Sequence, residues 1–240
     1  GKKTALCSSI RFKIAGETEK NTTGMTMPGR FFLQHFLRRA VRAGCEYAIV
    51  EVTSQGILQH RHRFIDWNAA LLNNIRPEHI EAHGSFENYR NSKIGFFRYV
   101  AEHSRKGKKF FFINEGDQSH HYFQDAASGA GEVVYFSRAH FIEHELDRGR
   151  ESIGDWLFGN FNLENAAAAN AFVRSQGIGW PLIRKTFRAF KGVPGRMEYI
   201  QKEPFSVVID YAHTPDSLAK IYQAVMEGKR QGRNKKLICV

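Results

Sequence analysis

Short runs that are apolar at every position, rather than at alternate ones, set the tightest limit on what this chain can fold into. Tyr47-Ala48-Ile49-Val50 is the clearest, and Ala69-Ala70-Leu71-Leu72, Phe110-Phe111-Phe112-Ile113 and Val133-Val134-Tyr135-Phe136 follow it. A strand that is apolar on both faces suits a parallel sheet covered on both sides, and parallel strands must be joined by crossover segments. Helical patterns supply those segments. After Thr26-Met27-Pro28, residues Phe32, Phe36, Leu37, Ala40 and Val41 recur at helical spacing, with Pro28 suited to the first turn. Ser85 can cap a helix reaching about Arg105, with Phe86, Tyr89, Phe96, Phe97 and Val100 near one face, and the alanine-rich stretch from Asn162 to about Ser175 is another. The alternation predicts an α/β fold with a mainly parallel sheet flanked by helices.

Gly192-Val193-Pro194-Gly195 is the strongest punctuation in the chain, and a fresh pattern begins beyond it. We expect one domain over residues 1–192 and the start of a Rossmann-like second domain over 193–240. There, a strand at Phe205–Tyr211, a helix from Pro215 to about Gly228 and a strand at Leu237–Val240 would form one βαβ unit. One such unit cannot cover its own sheet, so the second domain is expected to be cut short.

With 240 residues and 42% hydrophobic content, the chain can bury a substantial core. Cys7, Cys45 and Cys239 lie far apart without metal-type spacing, which predicts reduced thiols in a cytoplasmic protein. No run approaches the roughly 20 apolar residues that span a bilayer, and no secretory signal opens the chain, so no membrane partner is expected. The net charge of +11 favours polyanions, among them nucleotides and UDP-sugars as well as nucleic acids. Much of it lies in Arg105-Lys106-Gly107-Lys108-Lys109 and in the run from Lys229 to Lys236, both expected to be solvated loops. No nucleic-acid motif accompanies the charge, so no nucleic-acid partner is expected.

The residues able to carry chemistry fall at strand ends. Asp210-Tyr211-Ala212-His213-Thr214-Pro215-Asp216 brings two carboxylates and an imidazole onto a strand-to-helix turn, where open α/β sheets place ligands. Glu51 directly follows Tyr47–Val50, and a carboxylate there can hold Mg²⁺ through oxygen or bond to nearby backbone. His79 and His83 are four residues apart and could share a helix face as zinc ligands do. Ile80 stands where a metalloprotease needs glutamate, which argues against that chemistry. Lys93, one turn beyond Tyr89, would in isolation be a solvated surface charge. Arg61 presents a planar fork suited to carboxylate or phosphate.

Three separated segments resemble the Mur ligases, the ATP-dependent amide-forming enzymes of peptidoglycan synthesis. They are Glu51 to Arg61 with Asn74 to Gly84 and Tyr89 to Lys93; Gly159-Asn160-Phe161-Asn162-Leu163-Glu164-Asn165; and Val193 to Glu198 with Asp210 to Asp216. The first segment is most similar to the muramoyl-tripeptide synthetases, the MurE-type ligases. The resemblance implies Mg²⁺ held by Glu51, His79 and a carboxylated Lys93. It implies a UDP-N-acetylmuramoyl peptide contacted by Thr26, Met27, Thr53, Gln59 and Arg61, and ATP met by Asn162, Asn165, Arg196, Asp210 and His213. Met27 and Thr53 depart from the family's hydroxyl and serine at their places. The implied reaction joins an amino acid to the UDP-muramoyl peptide through an acyl phosphate, in a monomeric enzyme.

The family's phosphate-binding loop should open a helix. Gly1-Lys2-Lys3-Thr4 leads instead into the strand pattern Ala5 to Ile10, so the loop is expected to be missing, and with it activity of this chain alone. The alternatives are another member of the superfamily, of the folylpolyglutamate or cyanophycin synthetase type, and a non-catalytic protein that keeps only the substrate cleft.

Overall fold

The computed structural model describes residues 1–77, 80–144, 146, 155–157, 159–228 and 236–240. The chain opens on three short strands, β1 (Thr4–Cys7), β2 (Arg11–Ile14) and β3 (Glu17–Lys20), linked as antiparallel neighbours. Helix α1 (Arg30–Arg42) then leads to β4 (Tyr47–Val50), which pairs parallel with β1. This mixed sheet has the order β3-β2-β1-β4.

Helix α1 starts after Gly29, so Pro28 lies just outside it and is buried. Its inward face is Leu33, Phe36 and Ala40, which join Ala5, Cys7, Phe12 and Met27 in one core cluster. The face expected from the sequence is therefore offset: Val41 is 74% exposed, and Phe32 sits at the margin with its ring 5.1 Å from that of Phe12. The expectation that β4 is covered on both faces also fails. It is the outermost strand of its sheet, and Ala48 and Ile49 are exposed.

A second sheet has the order β5-β6-β7, from β5 (Ala69–Leu72), β6 (Phe110–Asn114) and β7 (Glu132–Phe136). The Glu132 amide donates to the Lys109 carbonyl and the Glu115 amide to the Phe136 carbonyl. Residue numbers thus rise together along β6 and β7, which makes the pair parallel. A short helix α2 (Ser54–Leu58) precedes β5, and α3 (Ile80–His83) and α4 (Phe86–His103) lie between β5 and β6. Ser85 caps α4 as expected, its side chain accepting from the Asn88 amide. The ring of Phe97 on α4 packs 5.9 Å from Phe111 and 5.0 Å from Phe123 of α5 (His120–Ala127).

The later elements are α6 (Arg138–His144), α7 (Asn160–Ser175), α8 (Trp180–Ala189), β8 (Glu198–Gln201), β9 (Val207–Ile209) and α9 (Pro215–Gly228). Here the expected βαβ unit is not formed. β9 pairs antiparallel with β8, which the sequence reading passed over, and Leu237–Val240 takes no strand conformation. Glu198 opposite Ile209 and Tyr199 opposite Val208 give β9 its hydrogen-bonded neighbour. Met197, Ala224 and Val225 form a small core with Phe161, Val208 and Ile221 against it.

The chain divides into two compact units. One comprises Gly1–Ala70, Ile75–Phe111 and His121–Val133, and the other Leu71–Asn74, Phe112–His120 and Val134–Val240. No helix among the described residues is long and apolar enough to cross a membrane.

Gly131 tests the β6–β7 ladder. A Cβ built there would stand 2.5 Å from the Lys109 carbonyl oxygen, the acceptor of the neighbouring Glu132 amide. Gly131→Ala is expected to cost about 1–3 kcal/mol by forcing the backbone apart. A denaturant midpoint unchanged from wild type would contradict this.

Candidate active site

In the first unit the site grows out of the β1–β4 pairing. Cys7 lies opposite Val50, and the Glu51 amide donates to the Cys7 carbonyl at 2.9 Å, one residue beyond the strand. Glu51 therefore projects at the carboxyl end of a parallel strand. Its Oε2 accepts from the Ser9 amide at 2.9 Å and from Ser9 Oγ at 3.0 Å. Oε1 has no hydrogen-bond partner among the described residues, so the carboxylate is anchored on one side and open on the other. Burial, reinforced by the Glu51 charge, pushes the Cys7 thiol up to about 11, which keeps it a protonated core group.

The chain turns from Glu51 into α2 through Thr53, whose Oγ1 accepts from the Gly56 amide at 3.0 Å. Thr53 is thus a helix cap as well as a candidate ligand contact. Met27 requires a correction. Its side chain is 1% exposed in the core beneath α1 and close against Gly56, so only its backbone can serve the site. That carbonyl is taken by Arg61 Nη1, while Arg61 Nη2 donates to Gln59 Oε1. Both acceptors are neutral, which orients the guanidinium without cancelling its charge. No hydrogen bond joins Thr26 to these groups.

Behind α2, His83 Nε2 lies 3.0 Å from Ser54 Oγ, and Ser92 Oγ donates to the Ser54 carbonyl at 3.0 Å. The His83 ring packs against Tyr89 with centroids 5.3 Å apart, and Lys93 Nζ sits 4.8 Å over the Tyr89 ring. Lys93 is therefore half-buried against an aromatic face rather than fully solvated. His79 lies outside the described residues. As an ammonium, Lys93 offers three donors and no acceptor, so it fits a metal only after carboxylation. Glu51 Oε1 fits a hard cation as it stands. Among the described residues no group of three or more His, Cys, Asp or Glu could hold a metal.

The second unit holds the remaining candidates. Gly159 caps α7, so Asn162 lies inside the helix rather than at its cap, and its Nδ2 donates to the Trp156 carbonyl at 2.8 Å. Asn165 is exposed, with Oδ1 accepting from Asn73 Nδ2 at 2.6 Å. After β9, Asp210 receives the Met197 amide at 2.8 Å and the Ala212 amide at 2.7 Å. It pins the loop on which Arg196 stacks over Tyr211 at 4.7 Å and His213 Nδ1 meets the Tyr211 carbonyl at 2.9 Å. The structure thus brings Arg196, Asp210 and His213 into one loop cluster. Sequence reasoning missed Ser9, Ser54, Asn73 and Asn114. Their only signal was their position beside strand ends and ahead of helices.

Residues 2–173 match the family described as Mur ligase middle domain, and residues 195–240 match the Mur ligase glutamate ligase domain. The chain belongs to the Mur ligase family. Mur ligases are ATP-dependent ligases. Among relatives, the chain is 30% identical to the UDP-N-acetylmuramyl-tripeptide synthetase of Roseiflexus sp. (strain RS-1), over 92% of the chain and 48% of the relative. It is 30% identical to the UDP-N-acetylmuramoyl-L-alanyl-D-glutamate–2,6-diaminopimelate ligase of Syntrophomonas wolfei, over 100% of the chain and 50% of the relative. The chain therefore spans about half the length of these relatives. A solved structure of a ligase of the latter kind superposes with a TM-score of 0.70 at 21% identity, covering 94% of this chain and 48% of that one. E. coli FolC in complex with DHPP and ADP superposes at 0.63 with 17% identity, covering 98% of this chain and 61% of that one. At such identities these two likenesses show the Mur ligase fold and nothing finer.

Next to Arg61, His62 carries the site's clearest titration. It is 4% exposed, its ring stands edge-on to Phe96 and Tyr99, and its Nδ1 is buried without a hydrogen bond. Burial, aided by the charges of His60, Arg63, Arg30 and His103, lowers its pKa from 6.5 to about 4. Between those values the unfolded chain binds a proton that the folded chain refuses, so stability falls as pH drops through that window. Denaturant midpoints measured from neutral pH downward should show this loss in wild type, and His62→Leu should flatten it. Equal slopes in the two proteins would exclude His62 as the cause.

Proposed function

We propose that this chain supplies the middle domain, over residues 1–192, and the first part of the glutamate ligase domain, over 193–240, of a UDP-N-acetylmuramoyl-peptide ligase. The observation that carries this reading is the Arg61 guanidinium, oriented among the described residues by neutral acceptors alone, in the turn one short helix beyond the half-open Glu51 carboxylate. An anionic substrate and a cation are what such a pair would hold. The relatives named above are muramoyl-peptide ligases that match along nearly the whole chain, which supports the same substrate class.

In the proposed reaction a carboxylate oxygen of the muramoyl peptide attacks the γ-phosphorus of ATP, giving an acyl phosphate and ADP. The amine of the incoming amino acid then attacks the acyl carbon, inorganic phosphate leaves, and the amine gives up a proton as the amide forms. Arg61, held by Met27 and Gln59, would bind and orient the anionic muramoyl substrate, with Thr26 and Thr53 beside it. Asn162, Asn165, Arg196, Asp210 and His213 would receive the nucleotide. Mg²⁺, held by Glu51, His79 and carboxylated Lys93, would neutralise phosphoryl charge. Carboxylation turns the Lys93 cation into an anionic oxygen ligand. The enzyme would act in the cytoplasm as a monomer, with no nucleic-acid partner.

Lys93 provides the test. In the full-length gene product, Lys93→Ala should abolish amide formation with UDP-muramoyl dipeptide, ATP and an amino acid, and added short-chain carboxylate should restore part of it. Full activity in the variant would remove Lys93 from the mechanism. ATP turnover stimulated only by folate substrates would move the enzyme to the folylpolyglutamate branch instead.

A further inference from the structure

Three asparagines in the second unit form a chain of hydrogen bonds that ends at the exposed Asn165. Asn114, at the end of β6, is 4% exposed. Its Oδ1 accepts from the Gly116 amide at 2.9 Å, and its Nδ2 donates to the Asn73 carbonyl at 2.8 Å. A donor on one side and an acceptor on the other allow this amide one orientation only. Asn73, the first residue past β5, is thereby held by its backbone, and its Nδ2 donates to Asn165 Oδ1 at 2.6 Å.

The direction of this last bond decides what Asn165 can offer a ligand. Asn73 Oδ1 is buried and without a hydrogen bond. Turning the Asn73 amide over would place its NH₂ group in that dry position and strand both N–H bonds there. Buried orphan N–H groups are rarer than under-satisfied carbonyl oxygens, so the dry position keeps the Asn73 oxygen inward and its donor on Asn165. Asn165 must then accept with Oδ1, which leaves Nδ2 as the end of its amide with no partner among the described residues.

We propose that Asn73 is a positioning residue for nucleotide recognition: it turns Asn165 so that the subsite presents a hydrogen-bond donor to an acceptor nitrogen of the purine ring. This rests on the proposed role of Asn165 at the ATP base. The exocyclic amino group of adenine is a donor, so it cannot take the outward Nδ2–H; only the second lone pair of Oδ1 is open to it. Asn73→Asp inverts the logic. A carboxylate only accepts, so it draws the Asn165 NH₂ inward and leaves an oxygen facing the ligand.

The test uses the full-length gene product and the affinities of ATP and of its 7-deaza, 3-deaza and 1-deaza analogues, each of which replaces one ring nitrogen by C–H. In wild type one analogue should bind about fivefold more weakly than ATP, the value of one neutral hydrogen bond. Asn73→Ala should shrink that penalty towards unity, and Asn73→Asp should remove it. A merely structural role for Asn73 would weaken ATP and the analogue alike and leave their ratio unchanged. Wild-type ratios retained in both variants, or no penalty for any analogue in wild type, would overturn the proposal while the nucleotide reading stands. Absence of ATP binding by wild type would remove that reading and the proposal with it. If the position-73 variants do not melt cooperatively, Asn165→Asp serves instead: its carboxylate accepts from Asn73 and offers no outward donor, so a retained penalty would overturn the proposal.

Discussion

The parallel pairing of β1 with β4 is the interaction on which the first unit's candidate site depends. Because Cys7 sits opposite Val50 and its carbonyl receives the Glu51 amide, the paired strand ends immediately before the exposed Glu51 carboxylate. The same register brings Ser9, two residues past Cys7, against Glu51. A slip of one residue would turn Glu51 to the other face of the sheet. The turn that follows is stabilised locally by the Thr53 cap and closed from behind by Met27 against Gly56. Strand pairing, helix capping and core packing thus converge on Glu51, Thr53 and Arg61.

The second unit uses polar contacts for the same purpose. Asp210 accepts two backbone amides and so ties the loop after β9 to the residue before β8. Asn114 and Asn73 do the equivalent work beneath Asn165. In both places a buried or half-buried amide or carboxylate spends its hydrogen bonds on the protein, beneath an exposed neighbour. Such an arrangement limits motion of the exposed group above it.

Much of this was legible from residue order. Strands at Tyr47–Val50, Ala69–Leu72, Phe110–Ile113 and Val133–Phe136, and helices after Ser85, near Asn162 and at Pro215, all appear within a few residues of their expected places. Burial was less legible. Val41 lies outside although its spacing fits the apolar face, because Leu33, Phe36 and Ala40 meet β1 and a helix buries one stripe only. Met27 has the position of a ligand contact by resemblance and the environment of a core residue by packing. The antiparallel β8–β9 pair was overlooked because Glu198-Tyr199-Ile200-Gln201 is too short and mixed to announce a strand.

Local sequence determined the elements, the strand-end placement of Glu51 and Asp210, and membership of the Mur ligase family, since each follows from patterns within a few consecutive residues. Tertiary structure alone decided the partners. Ser9 on Glu51 spans 42 positions, Asn73 on Asn165 spans 92, and Arg61 on Met27 spans 34. Contacts at such separations arise from register and helix placement, which no local pattern encodes. The same holds for the direction of the Asn165 amide, set by a dry position beside Asn73 that exists only once the chain has folded.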